Sequence, residues 1–306
     1  MTKKSDPINI LKILETNDPL TGFELQQRMD CDVFELWRDC CLDERIHSEI
    51  FSRRYLRLDR KMKNYARLSP SIRREFLTYT ILSIPGEENA CSQKKDRLTN
   101  KLHNISLSKR RLARESMIQS VSETVDRDII IEHACFIIAG DIVYNMAHDV
   151  PRPESSTGEM VRGSDLDIII IHDDRLDAAL IGSLDEAIFS RKHYLLVHPS
   201  YREEIDYIIK DINRVKSQTL MRSFEDLVAC KILWEGEFMF GNSQIFEQVQ
   251  AILHEKDVFR KMEQLHKNAI DGRKTSEQSL LASKSNLNGG DNYTLFYTQE
   301  EHEEIY

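Results

Sequence analysis

Asp165 and Asp167 stand one residue apart in the stretch VRGSDLDIIIIHDD, directly ahead of four consecutive isoleucines. A β-branched run bounded by Gly163-Ser164 and by the turn-like HDD favours a strand buried on both faces. Side chains alternate along a strand, so the two carboxylates are expected on one side and close together. Like charges that close repel, and a core strand keeps them only where a cation neutralises them. Carboxylate oxygens in such a pair suit a hard ion such as Mg²⁺, which in turn suits phosphate-bearing substrates. Read without chemistry, Asp165 is a turn cap after Gly163-Ser164 and Asp167 a solvated strand end; the pair alone does not choose.

Context favours the metal. A second apolar stretch, EIDYIIKDI, sets Asp206 between Ile205 and Tyr207, where a third carboxylate on a neighbouring strand would stand. Glycines at 140, 158 and 163 mark places where the backbone turns or is approached closely. Other acids read as ordinary: Asp173 and Asp174 as a turn, Glu203 and Glu204 as a solvated helix or strand start, Glu235 and Glu237 as a polar turn face. His148, His172 and His198 read as surface or loop histidines, and Phe238, Met239 and Phe240 as core.

Taken in order, Ala139-Gly140-Asp141, Gly158-Glu159, Ser164-Asp165-Leu166-Asp167 and Asp206 resemble the nucleotidyltransferase superfamily, whose catalytic core is shared with DNA polymerase beta. Small bacterial members carry Gly-Ser after an apolar segment, then Gly-Glu, then Ser-Asp-x-Asp leading into a strand, then a lone acid in a later strand. The segment FEDLVACKILWEGEFMFGN is also similar to the helix and Glu-Gly turn that follow that core, so the likeness covers residues 128–255. It implies an α/β (α+β) fold with a mixed sheet flanked by helices. It implies Asp165, Asp167 and Asp206 as catalytic metal ligands, holding Mg²⁺ or Mn²⁺ against the triphosphate of an NTP, with Asp206 helping to deprotonate an acceptor hydroxyl. Gly140 and Asp141 would lie by the phosphates, Ser164 would orient the metal loop, and Lys231 would reach the β- or γ-phosphate. Two departures stand out. Asp141 replaces the family's serine, an acid that repels phosphate unless a metal or a rotated side chain relieves it, and IVYNMAHDVPRPESST is longer than the usual connection.

The remainder of the chain must position and supplement these residues. Its 306 residues, 41% hydrophobic and 30% charged, suffice for one large domain or two to three small ones. No segment approaches the ~18 apolar residues of a membrane helix, and the N-terminus lacks a secretion signal, so a cytoplasmic protein without a membrane partner is expected. The six cysteines show no CxxC spacing and no histidine at metal-site spacing, which points to reduced structural thiols, without disulfides or zinc.

The net charge is −9, yet residues 52–74 hold nine basic residues and one acid. Ile10, Ile13 and Leu14 have helical spacing, Thr21 can cap a second helix and Asp32 a third, and IFSRRYLRL alternates like an exposed strand. Residues 1–83 thus resemble a winged helix-turn-helix whose basic wing (Arg53, Arg54, Arg57) would meet DNA or a protein. The third helix is too acidic for a DNA groove. Residues 84–127 read as a polar hinge and basic linker helices, 128–215 as the transferase core, 216–272 as a C-terminal helical part, and 273–306 as a loop and acidic tail.

Two functional readings follow. The first is a Mg²⁺-dependent nucleotidyltransferase moving a nucleoside monophosphate to a hydroxyl of a protein, RNA or small-molecule acceptor, in a bacterial toxin–antitoxin or phage-defence setting. The second is a catalytically inactive DNA-binding regulator or antitoxin-like scaffold. An antibiotic adenylyltransferase would leave the basic N-terminal region unexplained.

Overall fold

The computed structural model describes residues 7–29, 31–154, 156–283 and 295–296. The chain divides into two compact units, one drawn from residues before Leu102 and after Leu265, the other from Leu102–Leu265.

In the first unit, α1 (Pro7–Glu15) buries Ile10 and Leu14, one turn apart. After β1 (Leu20–Thr21) comes α2 (Gly22–Gln26), closed by a capping box. The Thr21 hydroxyl accepts from the Glu24 N–H at 3.2 Å, and the Glu24 carboxylate accepts from the Thr21 N–H at 2.7 Å. Asp32 caps α3 (Val33–Leu42), which buries Phe34, Leu36, Trp37 and Cys40. The strands β2 (His47–Ile50), β3 (Tyr55–Leu58) and β4 (Ala66–Ser69), helix α4 (Ile72–Tyr79) and strand β5 (Thr80–Ser83) follow. They make an antiparallel sheet in the order β1-β5-β2 and a separate β3-β4 hairpin.

IFSRRYLRL is therefore not one exposed strand. It breaks after Ile50, where the Phe51 N–H turns to the Tyr79 carbonyl at 3.0 Å, and Tyr55, Leu56 and Leu58 are buried. Arg54 is not a free wing residue either. Its guanidinium binds both oxygens of Glu75 at 2.7 and 2.5 Å, and Arg273 joins the same carboxylate at 2.9 Å. Arg67 and Arg74 are buried as well, while Arg53, Arg57, Arg60 and Lys61 stay at the surface. Of the Ser/Asn/Gly-rich loop beyond Ser283 and the acidic tail, only Leu295 and Phe296 belong to the described residues. Phe296 packs against Phe34 and Trp37, with centroids 5.3 and 5.4 Å away.

The expected hinge at PGEENACSQKK is helical from Glu88: α5 (Glu88–Ser122) is one helix of 35 residues. Pro85 and Gly86 are its last breakers, and the alanine, glutamines and lysines beyond them favour helix. Its residues from Leu102 onward belong to the second unit. There follow α6 (Arg127–His133), β6 (Ala134–Ile138), β7 (Pro151–Pro153), β8 (Met160–Arg162), β9 (Leu166–His172), α7 (Ala178–Val197), β10 (Ile205–Asp211), α8 (Ile212–Gln218), α9 (Phe224–Glu235), β11 (Glu237–Gly241) and α10 (Ser243–Glu255). The last helix, α11 (Val258–Ala282), takes in TSEQSLLA, expected as loop, and from His266 it belongs to the first unit.

The second unit is built on a mixed sheet in the order β10-β9-β6-β11, with β10 parallel to β9 and the other pairs antiparallel. β9 is buried on both faces, as its four isoleucines require. Ile168 and Ile170 join Phe136, Ile138 and the α7 residues Leu184, Ile188 and Leu195 in one core, while α10 covers β6 and β9 from elsewhere. The Phe136 and Phe240 rings stack at 4.1 Å. IVYNMAHD, expected as helix, is a single 3₁₀ turn at Gly140–Ile142 followed by further turns. Among the described residues no helix is long and apolar enough to cross a membrane.

Candidate functional site

Parallel pairing of β9 with β10 sets Asp206 opposite Asp167 and Ile205 opposite Leu166. Just ahead of each strand stands another acid, Asp165 before β9 and Glu204 before β10, and the Leu166 N–H donates to the Glu204 carbonyl at 2.9 Å. Two carboxylate–apolar–carboxylate triplets, DLD and EID, thus lie side by side. Oxygens of Asp165, Glu204 and Asp206 all fall within 4.8 Å of one another. Glu204, expected as a solvated strand start, is buried. Its signal was in the sequence: the EID triplet repeats DLD at the head of a second β-branched run.

Asp167 is not part of that oxygen cluster. Its carboxylate folds instead onto Gly140, where a Cβ would collide with Oδ2, and Gly140 holds a φ of +73° that favours glycine. Asp165 and Asp206 therefore meet through Glu204, and Asp167 lines the neighbouring turn.

Two cations hold the acids. The Arg152 guanidinium, from β7, contacts Asp165, lies 2.9 Å from Glu204 and donates to the Gly163 carbonyl at 2.8 Å. Lys192 of α7 lies 3.3 Å from Asp206. Exposure falls steeply across the cluster, with side chains 56% accessible at Asp206, 30% at Asp165 and 7% at Glu204. Burial pushes the Glu204 carboxyl above the usual range, Arg152 opposes the shift, and Asp206 and Glu154 add to it. Neither Arg152 nor Lys192 carries a local motif; their places come from β7 and α7 folding over the strand heads.

Ser164 ties the adjoining loops. Its N–H donates to the His148 carbonyl at 3.1 Å, its Oγ accepts from the His148 N–H at 3.2 Å, and its hydroxyl donates to Asp141 Oδ2 at 3.0 Å. Asp141 is thus engaged with a hydroxyl from the strand-head loop. Of the histidines expected at the surface or in loops, His148 is in a loop but buried, and His172 is buried at the end of β9. Glu203 is buried too, paired with Lys109, whose ammonium also donates to the Arg162 carbonyl at 2.7 Å.

Lys231 sits in a different group. Its ammonium is 2.6 Å from Glu235 and 6.0 Å from the Tyr144 ring centre, and the Tyr144 hydroxyl donates to the same Glu235 at 2.6 Å. Glu235, expected on a polar turn face, has a side chain only 3% exposed. No family model, curated protein or solved structure matches the chain.

Proposed function

We propose that the chain is a Mg²⁺-dependent nucleotidyltransferase that moves a nucleoside monophosphate from an NTP to a hydroxyl of a protein, RNA or small-molecule acceptor. The observation that carries this reading is the pairing of the DLD and EID triplets at the heads of adjacent parallel strands, with three carboxylate oxygens within 4.8 Å of one another. An all-oxygen, anionic donor set fits Mg²⁺ or Mn²⁺ better than softer metals. On this reading Asp165, Glu204 and Asp206 hold the ion, with Asp167 as the adjacent carboxylate. A divalent ion bound there supplies charge neutralisation to a triphosphate.

The other roles belong to the chain. Asp206, the most exposed of the acids, is the one an acceptor hydroxyl can reach, and its carboxylate takes the hydroxyl proton. Gly140 keeps the backbone beside Asp167 open. Ser164 keeps Asp141 engaged, which moderates the repulsion an acid there exerts on phosphate. With an ion on those carboxylates, the planar Arg152 guanidinium would be free to hold a phosphate oxygen.

Incubation with each labelled NTP, Mg²⁺ or Mn²⁺ and cell extract tests this. Label should pass to a protein, RNA or small-molecule fraction with the wild type and fall at least 100-fold with Asp165→Asn or Asp206→Asn, the scale on which a general acid–base group acts. No transfer by the wild type to any fraction would overturn the reading. One observation favours a second reading, a non-catalytic DNA-binding regulator: the Arg152 guanidinium engages both Asp165 and Glu204, the carboxylates an ion would need. Salt-dependent duplex binding lost on changing the surface residues Arg53 and Arg57 would support that reading.

A further inference from the structure

In the first unit, His47 and Glu49 are two residues apart on β2, so their side chains share a face of that strand. Cys91 reaches toward them from the first turn of α5. One ligand atom from each of the three lies within 4.8 Å of the others. The Cys91 thiol donates to Glu49 Oε2 at 3.2 Å, while the Lys95 ammonium holds the opposite oxygen, Oε1, at 2.6 Å. One carboxylate oxygen thus faces the sulfur and the other is fixed from outside, the arrangement in which an outer partner orients a metal-binding carboxylate.

A second observation points into the same spot. Ser83 lies opposite His47 on β5 and is 1% exposed, and its hydroxyl lies against the Cys91 sulfur. A hydroxyl placed there can donate to the sulfur once a metal ion has replaced the thiol proton, and so orient the ligand from behind. His47 is exposed and Cys91 buried, so a small ion can enter from the His47 side.

We propose that His47, Glu49 and Cys91 form a binding site for a thiophilic divalent cation of the Zn²⁺ class. A thiolate with an imidazole selects zinc over the magnesium expected of all-oxygen sets, and three protein ligands leave a fourth position to water or a substrate atom. The ion takes the sulfur lone pair as the thiol proton passes to solvent, and Ser83 then donates to the thiolate. Spacing along the chain does not announce this set, because 42 residues separate Glu49 from Cys91; the absence of zinc inferred from spacing is replaced by a site that strand and helix assemble.

The test is a titration of the full-length, chelator-treated chain with Co²⁺, followed by absorbance. One equivalent should give a sulfur-to-cobalt charge-transfer band that Zn²⁺ removes and Mg²⁺ does not. Cys91→Ser should abolish the band. His47→Ala, at an exposed position that leaves the fold intact by circular dichroism, should weaken Co²⁺ binding at least about tenfold, and Ser83→Ala about 10-fold to 100-fold. No band in the wild type, a band that persists in Cys91→Ser, or unchanged affinity in His47→Ala would each overturn the proposal. If Cys91→Ser fails to fold, His47→Ala decides. The site shares no residue with the carboxylate cluster, so the two proposals fail separately.

Discussion

Replacing Arg152 with glutamine removes the guanidinium that touches both Asp165 and Glu204. Two unit charges 4.8 Å apart, the outer limit of this cluster, repel by about 3.5 kcal/mol at an effective dielectric of about 20. Three ionised carboxylates would store several times that, so the buried Glu204 would take up a proton first, which caps the cost. Breaking a buried ion pair costs about 3–5 kcal/mol. Partial solvation of Asp165 and Asp206 reduces this to about 2–4 kcal/mol, and at about 2–4 °C per kcal/mol for a unit of this size the melting temperature should fall by about 5–15 °C in chelator. Mg²⁺ at 100 times its dissociation constant restores about 2.7 kcal/mol. The wild type should gain less from the same Mg²⁺, because there the ion must displace a guanidinium. Thermal melts of both proteins, with chelator and across a Mg²⁺ series, make the comparison. No loss of stability in the variant, or equal Mg²⁺ gains in both, would show that Arg152 and the ion do not share these carboxylates.

Other outcomes follow from single contacts. Gly140→Ala forces a Cβ into the Asp167 carboxylate at a left-handed φ, and should cost about 1–3 kcal/mol in urea unfolding while reducing nucleotide transfer. Burial pulls the Lys210 ammonium down to about 8. Between that pH and the ordinary lysine value the unfolded chain holds a proton the folded chain has lost, so wild-type stability rises with pH there. Lys210→Met should lack this rise and be more stable near pH 7 by an amount on the order of 3 kcal/mol, read from urea midpoints. The Thr157 hydroxyl, helped by Ser156 and by backbone N–H groups, holds the Glu154 carboxyl down at about 2. That stability is present above the ordinary glutamate range and is lost as pH falls toward 2, so Glu154→Gln should flatten the acid limb of midpoint against pH.

What the sequence showed and what it hid divide along physical lines. Thr21 and Asp32 announced their helices because capping is local, and DLDIIIIH announced a buried strand because a short β-branched run bounded by turn residues favours a doubly covered sheet position. Asp206 beside Asp167 was legible from the second β-branched run. Glu204 was legible in principle and overlooked, since a glutamate at a strand start is ordinary until the neighbouring strand carries the same triplet. Arg152, Lys192 and the Cys91 group were not legible, because their partners are set by chain crossings rather than by spacing. Arg54 shows the converse: a basic stretch that looked like an open patch has part of its charge spent on Glu75, a carboxylate from α4.

Among the described residues β10 is the last strand of its sheet, with β9 on one side only. The main-chain groups along its outer border offer hydrogen bonds to any extended segment that arrives, and the Tyr207-Ile208-Ile209 run of this strand would make such a visitor welcome. Asp206 and Asp211, acidic residues on either side of that run, deter it. An apolar replacement of Asp206 would therefore do more than remove a carboxylate: it would leave the border open to a second molecule, and self-association rising with protein concentration should accompany the loss.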